Sequence, residues 1–207
     1  MVPASNMSPQ GRALKVSAIV LAGGRNSRMG GTDKAFLTVG GRTVFERSLE
    51  TLAGCFSQIV VVSNAPQKYS GFDVEVVEDE FPRQGPLAGI HAGLGCVQHP
   101  YGFVVACDMP FLQSEPIRFL VSRLASQDAI IPEWDGDIEP LHAIYATHLR
   151  PIIGEALKRG TRAIRDLLPG LQVDFVPETI MRRVRGAEES FRNVNTPEEA
   201  ARFDVQA

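Results

Sequence analysis

The stretch VSAIVLAGGRNSRMGGTDK, residues 16–34, joins an apolar run to a loop that is rich in glycine and in cationic side chains. The run 16–21 predicts a strand buried on both faces, because apolar residues fill nearly every position. Small residues expose backbone N–H groups, and these groups and cationic side chains are the donors that phosphate oxygens need. An ordinary solvated turn would explain any one glycine or arginine. The whole group, directly behind a first buried strand, favours phosphate binding.

The composition of the chain limits the classes of function. The chain has 207 residues, a net charge of -3 and 44% hydrophobic residues, which is typical of one globular domain and does not indicate a nucleic-acid-binding protein. No apolar run reaches the ~20 residues that cross a bilayer, so no membrane role is expected. Residues 1–14 are polar and are expected to form a flexible N-terminal extension. Three scattered cysteines without a C-x-x-C pair favour a reducing, cytoplasmic setting.

Strand-like and helix-like patterns alternate along the chain. The predicted strands are 16–21, 59–62, 74–78, 102–106, 129–131, 141–145, 171–176 and 191–193. The predicted helices are 43–53 with a T-x-x-E capping box, 87–97, 114–124 capped by Ser114, 151–158, 161–168 and one that starts at Thr196. This order predicts an α/β single domain, with a mostly parallel, Rossmann-like sheet and helices on both faces. Ligands are then expected beyond the carboxyl ends of the strands, and the region after Trp134 is expected to form a lobe over the site.

The loop LAGGRNSRMGGTDK, residues 21–34, resembles the signature of the molybdenum cofactor guanylyltransferases, which belong to a wider nucleotidyltransferase superfamily. Three later segments agree with this family in order and spacing: GPLAGI at 85–90, CDMPF at 107–111 and FRNVNTPEE at 191–199. The related cytidylyltransferases usually have alanine before the second glycine and a shorter M-G-x-x-K. The resemblance implies a nucleotidyltransferase domain over residues 15–207, with the fold of the nucleotide-diphospho-sugar transferases.

The resemblance also implies how the phosphates are bound. Arg28 would hold the β- and γ-phosphates of GTP, Lys34 the α-phosphate, and Asp108 a Mg²⁺ ion. Asp108 follows an apolar strand, and a carboxylate there suits a hard divalent cation. The alternative is a purely structural role, in which Asp108 only shapes the turn into Met109. The first residues of the loop would hold the nucleoside through backbone groups: Leu21, Ala22, Gly23 and Gly24.

Asparagines near the C-terminus are further candidates. In the family, the residues that match Asn193 and Asn195 lie near the metal and the substrate phosphates, and an amide can complete a Mg²⁺ shell without adding charge. Asn195 is therefore a second candidate metal ligand, and both residues are candidates for the pterin or phosphate side. The alternative is that Asn195 only shapes the turn before a helix with Pro197 at its first position.

The guanosine would be bound by residues behind the second and third predicted strands. Positions that match Asn64 and Asp79 contact the guanosine in the family, although both residue types are also common in turns. Gly85, Pro86 and Leu87 would present backbone groups beside the nucleotide, or would simply begin a helix. In the family, the segment with Glu139 and His142 lies near the pterin. Many relatives have glutamine in place of Glu139, and His142 is not assigned to the catalytic group.

The resulting hypothesis is a Mg²⁺-dependent guanylyltransferase that transfers GMP from GTP to molybdopterin. No protein nucleophile is needed, because the attacking phosphate is already an anion, and catalysis would rest on positioning and charge stabilisation. The partners would be GTP, molybdopterin and proteins that insert or accept the molybdenum cofactor. The alternatives are a cytidylyltransferase acting on the same pterin, a sugar-phosphate nucleotidyltransferase, and a regulatory module that binds nucleotides without turnover.

Overall fold

The computed structural model describes residues 16–23, 34–192 and 205–206. Its strands are β1 (Val16–Leu21), β2 (Thr38–Val39), β3 (Arg42–Thr43), β4 (Ile59–Val62), β5 (Glu75–Val77), β6 (Tyr101–Ala106), β7 (Ala129–Trp134), β8 (Asp137–Ile138), β9 (His142–Ala146), β10 (Val173–Val176) and β11 (Val205–Gln206). Its α-helices are α1 (Val44–Ala53), α2 (Pro86–Leu94), α3 (Ser114–Ser122), α4 (Leu149–Lys158), α5 (Glu178–Met181) and α6 (Ala187–Ser190).

The main sheet has the strand order β10-β7-β9-β6-β1-β4-β5, with β8 paired to β7. The strand β1 lies inside the sheet and is parallel to both β4 and β6. Only β9 breaks the parallel arrangement along this order, because it runs antiparallel to β6 and β7. A second, small antiparallel sheet has the order β11-β2-β3. The expectation of an α/β fold with a mostly parallel sheet is therefore confirmed.

Helices cover both faces of the main sheet. One face packs against α1, α3, α5 and α6, whose buried residues join Ala18 and Val20 of β1 in one apolar cluster. The other face packs against α2 and α4, which join Ile19 and Leu21 in a second cluster. Alternate residues of β1 thus enter two different cores, which is why every residue of this strand except Ser17 is apolar.

The capping patterns in the sequence predicted the start of α1 correctly and the cap of α3 incorrectly. The backbone N–H of Thr43 donates to the Glu46 carboxylate at 2.7 Å, and the N–H of Glu46 donates back to the Thr43 hydroxyl at 3.1 Å, which is the predicted capping box. Ser114, however, is the first residue of α3, and the N-cap is Gln113. Because the Ser114 hydroxyl donates to the neighbouring Glu115 carboxylate at 3.1 Å, it does not cap the helix.

Three predictions for the second half of the chain were wrong. The predicted helix 161–168 is replaced by two short 3₁₀ turns, Ile164–Asp166 and Leu168–Gly170. Phe191 is the C-cap of α6 instead of the start of a strand, and its ring stacks on Trp134 at a centroid distance of 4.7 Å. The region after Trp134 was expected to form a lobe over the site, but its strands β9 and β10 belong to the main sheet. Residues 1–15, Asn193 and the helix start at Thr196 lie outside the described residues.

Within the described ranges, none of the helices has the length and apolar character that would let it cross a bilayer.

Candidate active site at the carboxyl edge of the sheet

Backbone hydrogen bonds tie the ends of four parallel strands together. The N–H of Ala22 donates to the carbonyl of Val62 at 2.9 Å, and the carbonyl of Leu21 accepts the N–H of Cys107 at 3.2 Å. The N–H of Ser63 donates to the carbonyl of Val77 at 2.9 Å. These bonds join the carboxyl ends of β1, β4, β5 and β6. The residues that directly follow these strands therefore meet at one edge of the sheet, and they include Ala22, Gly23, Asn64, Asp79 and Asp108.

The first residues of the glycine loop differ in exposure and in the groups that they could present to a ligand. The side chain of Leu21 is buried in the core, Ala22 is half-buried and Gly23 is exposed. The N–H of Ala22 donates to β4, so a backbone contact from Ala22 to a ligand would use its carbonyl. Among the described residues, a Cβ atom added to Gly23 would meet the carbonyl of Val62 alone, at 4.0 Å. Because no described residue crowds this position, open space beside a ligand is a reason for glycine there.

Several predicted site residues cannot be placed. Gly24, Arg28, Asn193 and Asn195 lie outside the described residues, so their roles stay predictions. Lys34 begins a 3₁₀ turn, Lys34–Phe36, and only its backbone is described.

Asn64 and Asp79 lie side by side and are joined by a hydrogen bond. The backbone N–H of Asp79 donates to the Asn64 amide oxygen at 3.1 Å. The Asp79 carboxylate accepts the N–H of Phe81 at 2.8 Å. Burial raises the pKa of the Asp79 carboxyl, and the hydrogen bond from Phe81 opposes that change. The pair thus presents a partly desolvated carboxylate beside an exposed amide, which suits a ligand that donates N–H groups.

The segment that opens α2 can contribute backbone groups only. Gly85 is the N-cap of α2, Pro86 is its first residue, and both are exposed. Leu87 is 1% exposed and belongs to the apolar cluster under α2. Its side chain is therefore a core residue, and a contact with a nucleotide would come from the first-turn N–H groups, which favour anions.

Asp108 has an acidic neighbour, Glu139, whose segment the resemblance had associated with the pterin without giving the residue a role. Glu139 follows β8, where its N–H donates to the carbonyl of Pro132 at 2.8 Å. Burial raises the pKa of the half-buried Glu139 carboxyl to about 7, and the charges of Asp137, Asp135 and Asp108 add to this effect. Among the described residues, no donor or cation is bonded to the Glu139 carboxylate. A carboxyl with a pKa so strongly raised is a candidate functional group.

The antiparallel strand β9 explains how Glu139 reaches this edge. Because β9 runs against β6, the amino end of β9 lies beside the carboxyl end of β6, and His142 is opposite Val105. Residues before β9 therefore lie at the same edge as residues after β6. The sequence pattern gave no direction for this strand, so this neighbour of Asp108 could not be found from it.

His142 is a core residue rather than a member of the site. Its ring is fully buried and meets Phe103 edge-on at 5.2 Å and Phe191 at 4.5 Å between centroids. Burial lowers the pKa of His142 to about 3, so the ring is neutral at physiological pH. Neither ring nitrogen has a hydrogen-bond partner among the described residues. These features agree with leaving His142 out of the catalytic group.

The donor set at this edge fits a Mg²⁺ ion that is held jointly by protein and substrate. In the described part of the chain, no group of three or more His, Cys, Asp or Glu side chains could form a metal cage. Mg²⁺ usually binds one or two carboxylates, and substrate phosphates and water complete its octahedral shell. The carboxylate of Asp108, half-buried at the edge of the sheet, has the oxygen atoms that such a site would use.

Comparisons with known proteins agree with this geometry. Residues 18–174 match the family described as the MobA-like NTP transferase domain. A molybdenum cofactor guanylyltransferase of Desulfosudis oleivorans is 36% identical over 191 residues, which are 92% of this chain and 95% of that protein. Another, from Syntrophotalea carbinolica, is 37% identical over 92% of this chain and 91% of that protein.

Solved structures give the same result. The crystal structure of molybdopterin-guanine dinucleotide biosynthesis protein A from Archaeoglobus fulgidus has a TM-score of 0.79 and 32% identity, and the match covers 90% of this chain and 96% of that one. A 2-C-methyl-D-erythritol 4-phosphate cytidylyltransferase from Thermus thermophilus shares the fold, with a TM-score of 0.65 and 18% identity over 90% of this chain and 96% of that one. The chain therefore belongs to the MobA-like NTP transferase family.

Proposed function

We propose that this protein is a guanylyltransferase that transfers GMP from GTP to the phosphate of molybdopterin, giving molybdopterin guanine dinucleotide and pyrophosphate. The names of its relatives at 36% and 37% identity support the reaction. The observation that carries the proposal is the position of Asp108 between two sets of residues at one edge of the sheet. Gly23, Asn64 and Asp79 lie on one side of it, and Glu139 lies on the other.

The two sides correspond to two substrates. Asn64 and Asp79 present an amide and a carboxylate, and the guanine edge offers N–H donors at N1 and at the 2-amino group. The exposed N-terminus of α2 is close in the chain to this side and favours the anionic part of the nucleotide. The second substrate would enter from the side of β9 and Glu139. Asp108 then lies where the α-phosphate and the attacking phosphate meet.

The chemistry needs no nucleophile from the protein. An oxygen of the molybdopterin phosphate forms a bond to the α-phosphorus of GTP, and the bond from that phosphorus to the bridging oxygen of the β-phosphate breaks. Pyrophosphate leaves with the electron pair of that bond. The work of the protein is to hold the two phosphates in line and to offset their negative charge, in which Arg28 and Lys34 would take part.

Asp108 would hold Mg²⁺, with Asn195 as a further candidate ligand. When bound, such an ion would offset the charge of the phosphates and of the departing pyrophosphate. The proposal also includes a cytoplasmic setting and transfer of the product to proteins that insert or accept the molybdenum cofactor.

A nucleotide panel tests the proposal. The protein is incubated with molybdopterin and Mg²⁺ and with GTP, CTP, UTP or ATP, and pyrophosphate and the dinucleotide product are measured. We expect turnover with GTP to exceed turnover with the other three. Greater turnover with CTP would replace the proposal with a cytidylyltransferase, and nucleotide binding without turnover would indicate a regulatory module.

Two variants test the roles assigned to the cations. Arg28→Ala should weaken the binding of GTP by about ten- to a hundredfold, the usual value of a lost charge-assisted contact. Lys34→Ala should lower kcat more than it weakens GTP binding, because the α-phosphate is where bonds change. Unchanged GTP affinity in Arg28→Ala would show that this residue does not hold the triphosphate.

A further inference from the structure

The two candidate base-reading residues depend on a short turn behind β5. Asn64 and Asp79 are joined by the 3.1 Å bond from the Asp79 N–H, and the Asp79 carboxylate is oriented by the N–H of Phe81 at 2.8 Å. The direction of this carboxylate therefore depends on where Phe81 lies. Any contact that fixes residues 80 and 81 also fixes the groups that would face a nucleobase.

Two helices on one face of the sheet hold this turn at two points. The Phe81 ring meets the ring of His91 in α2 edge-on, at 5.2 Å between centroids. The neighbouring Glu80 carboxylate accepts a hydrogen bond from the Arg150 guanidinium of α4 at 2.7 Å. The turn that orients Asp79 is thus attached both to α2 and to α4.

The packing between α2 and α4 accommodates these two anchoring side chains. A Cβ atom added to Gly154 would lie 3.1 Å from Nε2 of His91, so glycine leaves the room that the ring occupies. A Cβ atom added to Gly95 would lie 2.6 Å from Nε of Arg150, so the guanidinium would have to shift if a larger residue stood there. Gly154 and Arg150 are four residues apart in α4 and therefore lie on the same helix face.

Folding stability alone is a poor explanation for these contacts. Arg150 and Glu80 are 42% and 54% exposed, and exposed ion pairs contribute little to stability. His91 is 6% exposed, and its Nδ1 has no hydrogen-bond partner among the described residues, which makes its burial unfavourable. The shared consequence of both contacts is a fixed turn beside Asp79.

We propose that His91 and Arg150 are positioning residues that set nucleobase selectivity, because they hold the turn 79–81 against α2 and α4. This inference rests on the proposed function for the identity of the base. The two residues touch no substrate, and they act through Phe81 and Glu80 on the Asp79 carboxylate. Loosening either anchor should reduce discrimination between bases and leave the binding of the triphosphate group unchanged.

The test compares GTP with ITP, which lacks the 2-amino group of guanine, and with inorganic tripolyphosphate. Affinities are measured by calorimetry for the full-length protein and for the variants Glu80→Gln and Gly154→Ala. Alanine is the better helix former, so Gly154→Ala should fold while its Cβ displaces the His91 ring. We expect the ratio of GTP affinity to ITP affinity to fall by about two- to tenfold, the range for one weakened hydrogen bond. The affinity for tripolyphosphate should not change.

Two further variants separate positioning from simple packing. Arg150→Lys keeps a cation beside Glu80 and should retain most of the selectivity, whereas Arg150→Met should lose it. Glu155→Gln is the control, since it breaks an exposed 2.7 Å pair with Lys158 on the same helix and should leave selectivity unchanged. An unchanged ratio in Glu80→Gln and Gly154→Ala would overturn the proposal, as would a parallel loss of affinity for GTP and tripolyphosphate.

Failure of the positioning role can be distinguished from failure of the proposed guanylyltransferase function. If the parent protein prefers CTP and transfers CMP, the guanylyl assignment is wrong. The same variants are then compared on CTP and UTP, which differ at the base. Reduced preference for CTP would still support the anchors, and unchanged preference would overturn them.

Discussion

Replacing Glu139 with glutamine should change how the stability of the protein depends on pH. Burial raises the pKa of the Glu139 carboxyl from 4.5 to about 7 in the folded protein. Between these two values the folded state keeps a proton that the unfolded chain releases. The free energy of unfolding therefore falls as the pH rises from about 4.5 to 7, and the loss is complete above pH 7.

The size of this effect follows from the shift and from the exposure of the group. A shift of one pKa unit corresponds to about 1.4 kcal/mol, so the full shift would correspond to about 3 kcal/mol. Because the carboxyl is only half-buried, solvent screens it, and we expect about 1–2 kcal/mol. Glutamine has nearly the same shape and carries no charge. The variant should be more stable than the parent by this amount at pH 8 and nearly equal to it at pH 4.5.

Urea unfolding without nucleotide or metal, at pH values from 4.5 to 8, measures the difference. The control is Asp135→Asn, which removes a neighbouring charge and leaves the buried carboxyl in place. Since burial is the larger cause of the shift, this control should keep most of the pH dependence of the parent. A stability difference between Glu139→Gln and the parent that is constant across the pH range would refute the reasoning, and so would a less stable variant at pH 8.

Three further perturbations have defined outcomes. Asp108→Asn should abolish pyrophosphate release with an unchanged circular dichroism spectrum; activity near that of the parent would exclude the metal-binding role. Gly93→Ala would place a Cβ 2.4 Å from Cγ2 of Ile19 and should lower the free energy of unfolding by about 1–3 kcal/mol, measured in urea; an unaltered midpoint would show that Ile19 can move aside. Burial lowers the pKa of His142 to about 3, so between pH 6.5 and 5 the unfolded chain binds a proton that the folded protein does not, and the free energy of unfolding of the parent falls. His142→Leu removes this group, so its free energy of unfolding should fall less over the same pH range. Equal losses in urea titrations would contradict this.

The sequence predicted the elements whose signal is local. The strand β1 was found because its residues enter two cores and all but Ser17 are apolar, and α1 was found because Thr43 and Glu46 form a capping box. The helix expected at 161–168 failed because a few apolar residues at helical spacing do not ensure a helix, and two 3₁₀ turns form there instead. The direction of β9 could not be predicted from its sequence either, since nothing in residues 142–146 indicates that this strand is antiparallel to its neighbours.

The candidate site was predictable in its location and less so in its chemistry. The sequence motifs and predicted strand ends identified Asn64, Asp79 and Asp108 as candidates, and these residues follow neighbouring strands of the sheet. They did not show that Leu87 turns its side chain into the core, since a motif does not separate backbone contacts from side-chain contacts. They also did not assign Glu139, because its position beside Asp108 depends on the insertion of β9.

The position of β1 inside the sheet has a consequence for the synthesis of the chain. One edge of β1 pairs with β4 after a short interval, but the other edge pairs with β6, which is made roughly 80 residues later. At about 5–20 residues per second, that edge waits for about 4–16 seconds. During this time a six-residue apolar strand has one unpaired edge, which is a template for pairing with other chains. The ribosome-bound chain is therefore most prone to aggregation between the completion of β4 and the emergence of β6, and protection by chaperones matters most in that interval.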